Sequence, residues 1–356
     1  MGRKLLCALL TLLLTGCALV PEEDRAFVLC VAVSAAAGNV TFTVQIPDYK
    51  GKDEYHVLTG SGASFEAALA DVSGKAPAPL HFGQTRLAVF TRSTAESEYF
   101  ADLISRVARL PFMRMQAQVF VTEEAPQTLL EALTPRTGTR LSKYLDTLLG
   151  ARREQGTLMG TTLSDVLRMG GRQDAVLGFA KSEASSAGKT AGKAASAEDS
   201  GASGNEASAG ADAQNGKEPV FSGGVLMGAD GRMNGLLSAE ETKTLSMLTG
   251  TEQELRFQWA DCAALLHVRL CRVTLAGNTV HTTLIVRAET EEGTPTQAKT
   301  HLEEDVRKLM RKLSAASCDV LGLARQAVLQ GDDLADWPTR FGSLFCTVAV
   351  EWLQSA

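Results

Sequence analysis

The chain has 356 residues, 45% of them apolar, and carries 35 basic against 41 acidic side chains for a formal net charge of −6. That length predicts two or three domains, each large enough to bury a core, and the acidic balance argues against nucleic acid as a partner. No run approaches the roughly eighteen consecutive apolar residues of a membrane-spanning helix.

Arg3 and Lys4 precede a short apolar run, Leu5 to Leu14, and Leu14-Thr15-Gly16-Cys17 ends it with two small residues and a cysteine. As a helix the run reaches about 15 Å, roughly half a bilayer core, so it is too short to span. The pattern resembles a bacterial lipoprotein signal. In such signals cleavage after Gly16 leaves Cys17 as the first mature residue, the lipid attachment site, with a diacylglyceryl group on its thiol and fatty chains such as palmitate. Acyl chains contribute about 0.8 kcal/mol per buried methylene, and two of them anchor a soluble body stably. An ordinary secretory signal that happens to contain a cysteine is the competing reading. N-myristoylation at Gly2 is ruled out, because Leu6 stands where that motif has Ser or Thr. Loss of residues 1–16 leaves 33 basic and 41 acidic side chains.

Beyond a tether at 17–25, Thr41 to Ile46 alternates apolar and polar residues and predicts a half-buried strand paired with Val28 to Val33. Gly60 to Ser64 predicts entry into a helix carrying Phe65, Ala68 and Leu69, and Thr85 to Phe90 a further strand. Ser93 with Glu96 three residues on predicts a capping box opening a helix with the stripe Phe100, Leu103, Ile104, Val107 and Leu110, closed by Pro111. Met115 to Val121 alternates as a strand, and Leu141, Tyr144, Leu145, Leu148 and Leu149 mark another helix. In residues 181–218, 24 of 38 positions are Ala, Ser or Gly and none is Val, Ile, Leu, Met or aromatic, so this Ala/Ser/Gly-rich insert is expected to be disordered. After it, Phe221 to Met227 predicts a strand, a Gly-rich bend follows, and a helix covers Ala239 to Leu248. Ala264 to Leu275 and Thr279 to Ala288 predict a hairpin turning at Gly277-Asn278. A long helix is expected from Gln297 to Gln330, with Leu302, Val306, Leu309, Met310, Leu313, Val320, Ala324 and Val328 on one face. A last strand from Leu344 to Trp352 puts Leu344, Cys346, Val348, Val350 and Trp352 on one side. The fold class is therefore α+β, with mixed and antiparallel sheets flanked by helices. Its regions are the signal 1–16, the tether 17–25, an amino-terminal α/β region 26–180 with a split near 122 left open, the insert 181–218, and a carboxy-terminal domain 219–356.

The chain has no Gly-x-Ser-x-Gly, His-Glu-x-x-His or Walker pattern. Gly60-Ser61-Gly62-Ala63-Ser64-Phe65 approaches a dinucleotide fingerprint, but Phe65 occupies the position of its last glycine, and a turn into a helix explains the string better. The turn at Gly277-Asn278 sets Thr274, not His267, opposite His281, which argues against a zinc site on that hairpin. Asp332-Asp333 and Glu303-Glu304-Asp305 read as solvated helix ends and faces, and Arg307, Lys308, Arg311 and Lys312 as a wet helix face or a basic docking patch. Cys30, Cys262, Cys271, Cys318 and Cys346 follow no metal-ligand spacing. An odd number leaves at least one thiol unpaired, and a Cys262–Cys271 disulfide is the alternative to buried free thiols. No catalytic, cofactor or metal residues are assigned.

Three passages, in order, resemble the C-subunit lipoprotein of spore germinant receptors, the Ger(x)C family. The first runs from Arg106 through Arg114 into Gln116 to Val121 and Ala125. The second is Phe221-Ser222-Gly223-Gly224-Val225-Leu226 followed by Gly235-Leu236-Leu237-Ser238 and Glu241-Thr242. The third is Cys318-Asp319-Val320-Leu321-Gly322-Leu323, then Trp337, then Thr347 to Glu351. Two departures stand out. Cys17-Ala18-Leu19 replaces the family's usual Cys-Trp-Asp, and Cys30-Val31-Ala32-Val33 stands where glycine and aspartate are common. The resemblance implies a non-enzymatic, lipid-anchored accessory subunit that acts in the germination response to nutrients. It also implies a place on the outer face of the inner spore membrane, beside the integral membrane A and B subunits. Asp319 and Trp337 are expected to cap and pack. The alternative is a lipid-anchored extracytoplasmic solute-binding protein serving a transporter.

Overall fold

The computed structural model describes residues 24–36, 38–48, 55–133, 140–169, 175–184, 217–228 and 230–354. The expected signal, Cys17 and most of the insert lie outside these residues.

The first part of the chain runs β1 (Ala26–Phe27), β2 (Cys30–Ala36), β3 (Asn39–Pro47), β4 (Tyr55–Gly62), α1 (Phe65–Lys75), β5 (Leu80–His81), β6 (Leu87–Thr91), α2 (Arg92–Ala95), α3 (Phe100–Ala108), β7 (Gln118–Thr122), α4 (Pro126–Ala132), α5 (Leu141–Glu154), α6 (Leu163–Met169), β8 (Ala175–Ala184), β9 (Lys217–Met227) and β10 (Met233–Leu237). Eight of these strands form one sheet in the order β10-β9-β8-β7-β6-β2-β3-β4. Its centre is parallel, and the pairs at both flanks are antiparallel. Sheets with parallel centres are normally covered on both faces. Here Val31, Phe42, Val44 and Phe90 pack with α1 and α3 on one side, while Cys30, Ala32, Val89 and Phe120 pack with α4 and α5 on the other.

That double covering changes the β3 expectation. β3 pairs with β2 as predicted, but it is not half-buried: Thr43 and Gln45 are buried along with Phe42, Val44 and Ile46. Gln45 tolerates this because its Nε2 donates to the Leu130 and Leu133 carbonyls at 2.9 and 3.2 Å. Gly60 lies at the end of β4, where a Cβ would come within 2.4 Å of the Ala68 carbonyl and the Val72 nitrogen. The glycine lets α1 sit directly on the strand, and Ser64 caps that helix by accepting from Ala67 N–H at 3.2 Å. The expected capping box at Ser93 is not formed. Ser93 lies inside the short α2, Glu96 pairs with Arg92 at 2.7 Å, and the amphipathic helix starts only at Phe100.

On either side of the insert, β8 and β9 pair antiparallel as far as Ala184 opposite Lys217. Residues 181–184 and 217–218, expected within the insert, are therefore strand. β9 and β10, which the sequence places after the insert, complete the first sheet, and β10 occupies residues expected to run straight from the bend into a helix.

The remaining elements are α7 (Ala239–Thr249), β11 (Glu254–Gln258), β12 (Ala263–Ala276), β13 (Thr279–Glu292), α8 (Pro295–Ala315), α9 (Leu323–Leu329), α10 (Trp337–Gly342) and β14 (Phe345–Gln354). They build a four-stranded sheet, β11-β12-β13-β14, with β14 parallel to β13. Thr274 lies opposite His281, as the hairpin turn requires. Leu302, Val306, Leu309, Met310 and Leu313 of α8 seal one face. The expected 297–330 helix is broken. α8 stops at Ala315, Ser317 takes φ 50° and Gly322 φ 70°, and Asp319 opens α9 by accepting from Leu323 and Ala324 N–H at 2.8 and 2.5 Å. Val328 is consequently 51% exposed. Beyond β11, the free edge of β12 is closed by side chains. Gln326 donates to Val273 O and accepts from Leu275 N–H, and Gln330 donates to Leu275 O. Such edges are otherwise open to strand addition. None of the five cysteines among the described residues forms a disulfide, so the expected alternative of a Cys262–Cys271 bridge is not realised.

Candidate docking site

The described chain enters the fold at a small parallel pair. β1 lies beside β5, with Ala26 N–H donating to Pro79 O at 3.0 Å and Val28 N–H to His81 O at 2.9 Å. The His81 ring meets Phe27 edge-on at 5.2 Å and stacks on Phe112 at 4.9 Å. Its Nδ1 accepts from Gly83 N–H at 3.3 Å, which leaves Nε2 to carry the proton of the neutral ring.

Phe112 is the outermost group here, 75% exposed and at φ 60°. Its position follows from its neighbours. Pro111 cannot continue α3, and Leu110 and Met113 are both drawn into the core, so the residues between them form a tip that points Phe112 outward. Arg109 is exposed beside it and Arg114 half-buried. An exposed phenylalanine in the left-handed region, flanked by guanidinium groups, has the make-up of a contact surface.

On α3, Arg106 donates to Asp102 at 2.6 Å and also to Glu66 of α1. Its own backbone N–H and the Arg106 guanidinium hold the Glu66 carboxyl below the usual range. These charges line a half-open cavity of about 490 Å³ with Gly38, Phe65 and Tyr99. One guanidinium thus serves two carboxylates, and the lining keeps an excess negative charge.

The other sequence candidates are dispersed. His267 faces Arg287 across the hairpin, and His281 shares a 2.8 Å hydrogen bond with Thr347. Asp332 pairs with Arg340 at 2.8 Å, and Asp333 accepts from Ala335 N–H. Arg307 pairs with Glu303 and Lys312 with Glu241, so half of the basic patch is neutralised. Asp319 caps α9 and Trp337 opens α10, packing on Phe341. From that helix Arg340 donates to Gly277 O at 2.7 Å, tying it to the hairpin turn. Sequence reasoning missed the exposure of Phe112. The signal available was a lone aromatic after a helix-ending proline and between two arginines.

The family model for the spore germination protein N-terminal domain matches residues 21–182. The structure titled "Crystal Structure of the GerBC protein" shares the fold at TM-score 0.54 and 12% identity, over 92% of this chain and 97% of that one. The family match supports kinship with the germinant receptor C-subunit family. The matched family model is one of spore germination proteins. No curated protein matches the chain. Among the described residues, no helix is long and apolar enough to cross a membrane.

Proposed function

We propose that the chain is a non-enzymatic accessory subunit of a nutrient germinant receptor, tethered through diacylglyceryl-Cys17 to the outer face of the inner spore membrane and docked on the integral A and B subunits. The observation that carries this reading is the start of the family match at residue 21, directly after the lipoprotein pattern that ends at Cys17. From Cys17 to Ala26, even a fully extended chain covers only about 30 Å. The Phe112 tip, one ring away from the chain's entry at Phe27, then stays near the membrane and its integral subunits. The solute-binding alternative supposed two lobes about a linker, whereas the strands bordering 185–216 are neighbours in one sheet.

Deleting the gene in a spore former without a substituting paralogue is expected to abolish the nutrient response, with rescue by the wild-type chain and not by Cys17→Ala. Normal germination after the deletion contradicts the proposal. Tight calorimetric binding of amino acids or sugars would instead favour the solute-binding reading.

A further inference from the structure

Away from the Phe112 tip, the turn between β11 and β12 meets the first turns of α8. There the Asp261 carboxylate, the Cys262 thiol and the His301 imidazole bring their donor atoms within 4.8 Å of one another. The neighbouring groups fix each of them. Thr294 and Gln297 form the capping box that starts α8, and the Gln297 amide donates to Asp261 Oδ2 at 3.2 Å. Asp261 Oδ1 lies 2.7 Å from His301 Nε2. The imidazole stacks on Trp259 at 5.6 Å, and Trp259 stacks in turn on Phe257 at 5.5 Å. The indole N–H donates to Asp305 at 2.8 Å, which sets the tilt of the whole stack. Cys262 is 1% exposed, while Asp261 is exposed and His301 half-buried. The cluster therefore has a sulfur floor and an open polar mouth.

We propose that Asp261, Cys262 and His301 form a binding site for one zinc-class divalent cation, with water at the fourth position. One thiolate, one imidazole and one carboxylate suit zinc or cobalt and are a poor match for magnesium or calcium. Tetrahedral zinc with ligand bonds of about 2.0–2.3 Å needs donors roughly 3.3–3.7 Å apart, so binding spreads the Asp261–His301 pair and draws the thiol in. The Cys262 S–H bond breaks as the metal–sulfur bond forms, and the proton leaves to solvent. Because the thiol must lose its proton to bind, affinity rises with pH. The bound ion clamps the β11–β12 turn to α8 across some forty residues of sequence.

The experiment is a titration of the metal-free full chain with cobalt(II), followed by displacement with zinc. One equivalent is expected to give a near-ultraviolet thiolate-to-cobalt charge-transfer band and the visible bands of a tetrahedral ion. Cys262→Ser is expected to remove the charge-transfer band, and His301→Gln to weaken binding by about 10- to 100-fold, with far-ultraviolet circular dichroism showing that each variant is folded. If Cys262→Ser does not fold, Asp261→Asn supplies the same comparison through affinity. A folded wild-type chain that gives no saturable band overturns the proposal, as does a band that survives in Cys262→Ser.

Discussion

The two sheets of this protein draw on similar residues but bury different numbers of faces. The eight-stranded sheet lies between two helical layers, so Thr43 and Gln45 are as buried as Phe42 and Val44. The four-stranded sheet is sealed by α8 on one side, and along β13 buried residues such as Val280, Thr282, Leu284 and Val286 alternate with more accessible ones. Alternation along a strand reports burial only where one face is wet. A polar residue within a doubly covered strand reports a partner, as the Gln45 amide finds in the α4 carbonyls.

The sharpest way to break this comparison is to cut into each sheet. Phe120→Ala removes a fully buried ring that meets Phe221 edge-on at 5.0 Å and is expected to cost about 3–5 kcal/mol. Phe345→Ala, on a ring 71% exposed at the start of β14, is expected to change stability by less than about 0.5 kcal/mol. Both are read from urea unfolding, and equal losses would contradict the two-face, one-face distinction.

A smaller loss tests the break between α8 and α9. Asp319→Ala orphans the Leu323 and Ala324 N–H groups and is expected to cost about 1–2 kcal/mol, with Asp319→Asn recovering part of it. If the long helix read from the sequence were real, the alanine substitution would be neutral or stabilising.

The next effect appears with pH. Burial works to raise the Glu241 carboxyl, but the Lys312 ammonium and the Ser238 backbone N–H outweigh it and leave the pKa lowered. A carboxyl whose folded pKa is depressed contributes stability above its unfolded value and loses it as pH falls through the folded one. This part of the stability is therefore expected to be present above about pH 4.5 and to fade below it. Glu241→Gln should flatten the corresponding slope in unfolding experiments between pH 3 and 6, and an unchanged slope would place the acid sensitivity elsewhere.

The smallest effect is expected at the segment joining β8 to β9. Ala184 and Lys217 are paired, so replacing residues 185–216 by Asn-Gly closes β8 and β9 as an ordinary hairpin. The melting temperature is expected to move by less than about 2 °C. A collapse would show that the insert carries part of the core.

Much of this fold was legible because local signals and tertiary packing agree. The Gly277-Asn278 turn predicts the β12–β13 register, and the apolar stripes of α3 and α8 name the residues that are buried. The failures share one cause, long-range partners that leave no local trace. Ser93 and Glu96 carry the letters of a capping box, yet Arg92 takes Glu96 and the helix starts later. Asp319 lies within the expected 297–330 helix, but its carboxylate caps the start of a separate one. β10 has too few periodic residues to stand out and exists because β9 offers it an edge. Asp261 and Cys262 meet His301 only because the capping box at Thr294 sets α8 beside the turn. Nor did the sequence reading single out Phe112, whose outward turn required both Leu110 and Met113 to be buried.

The central claim is that a folded recognition body is held at a membrane by its first mature residue. Mass spectrometry of the native protein from the membrane fraction tests it most directly. The account predicts an amino-terminal peptide beginning at Cys17 and carrying a diacylglyceryl mass. An intact Met1 terminus without fatty modification would contradict it.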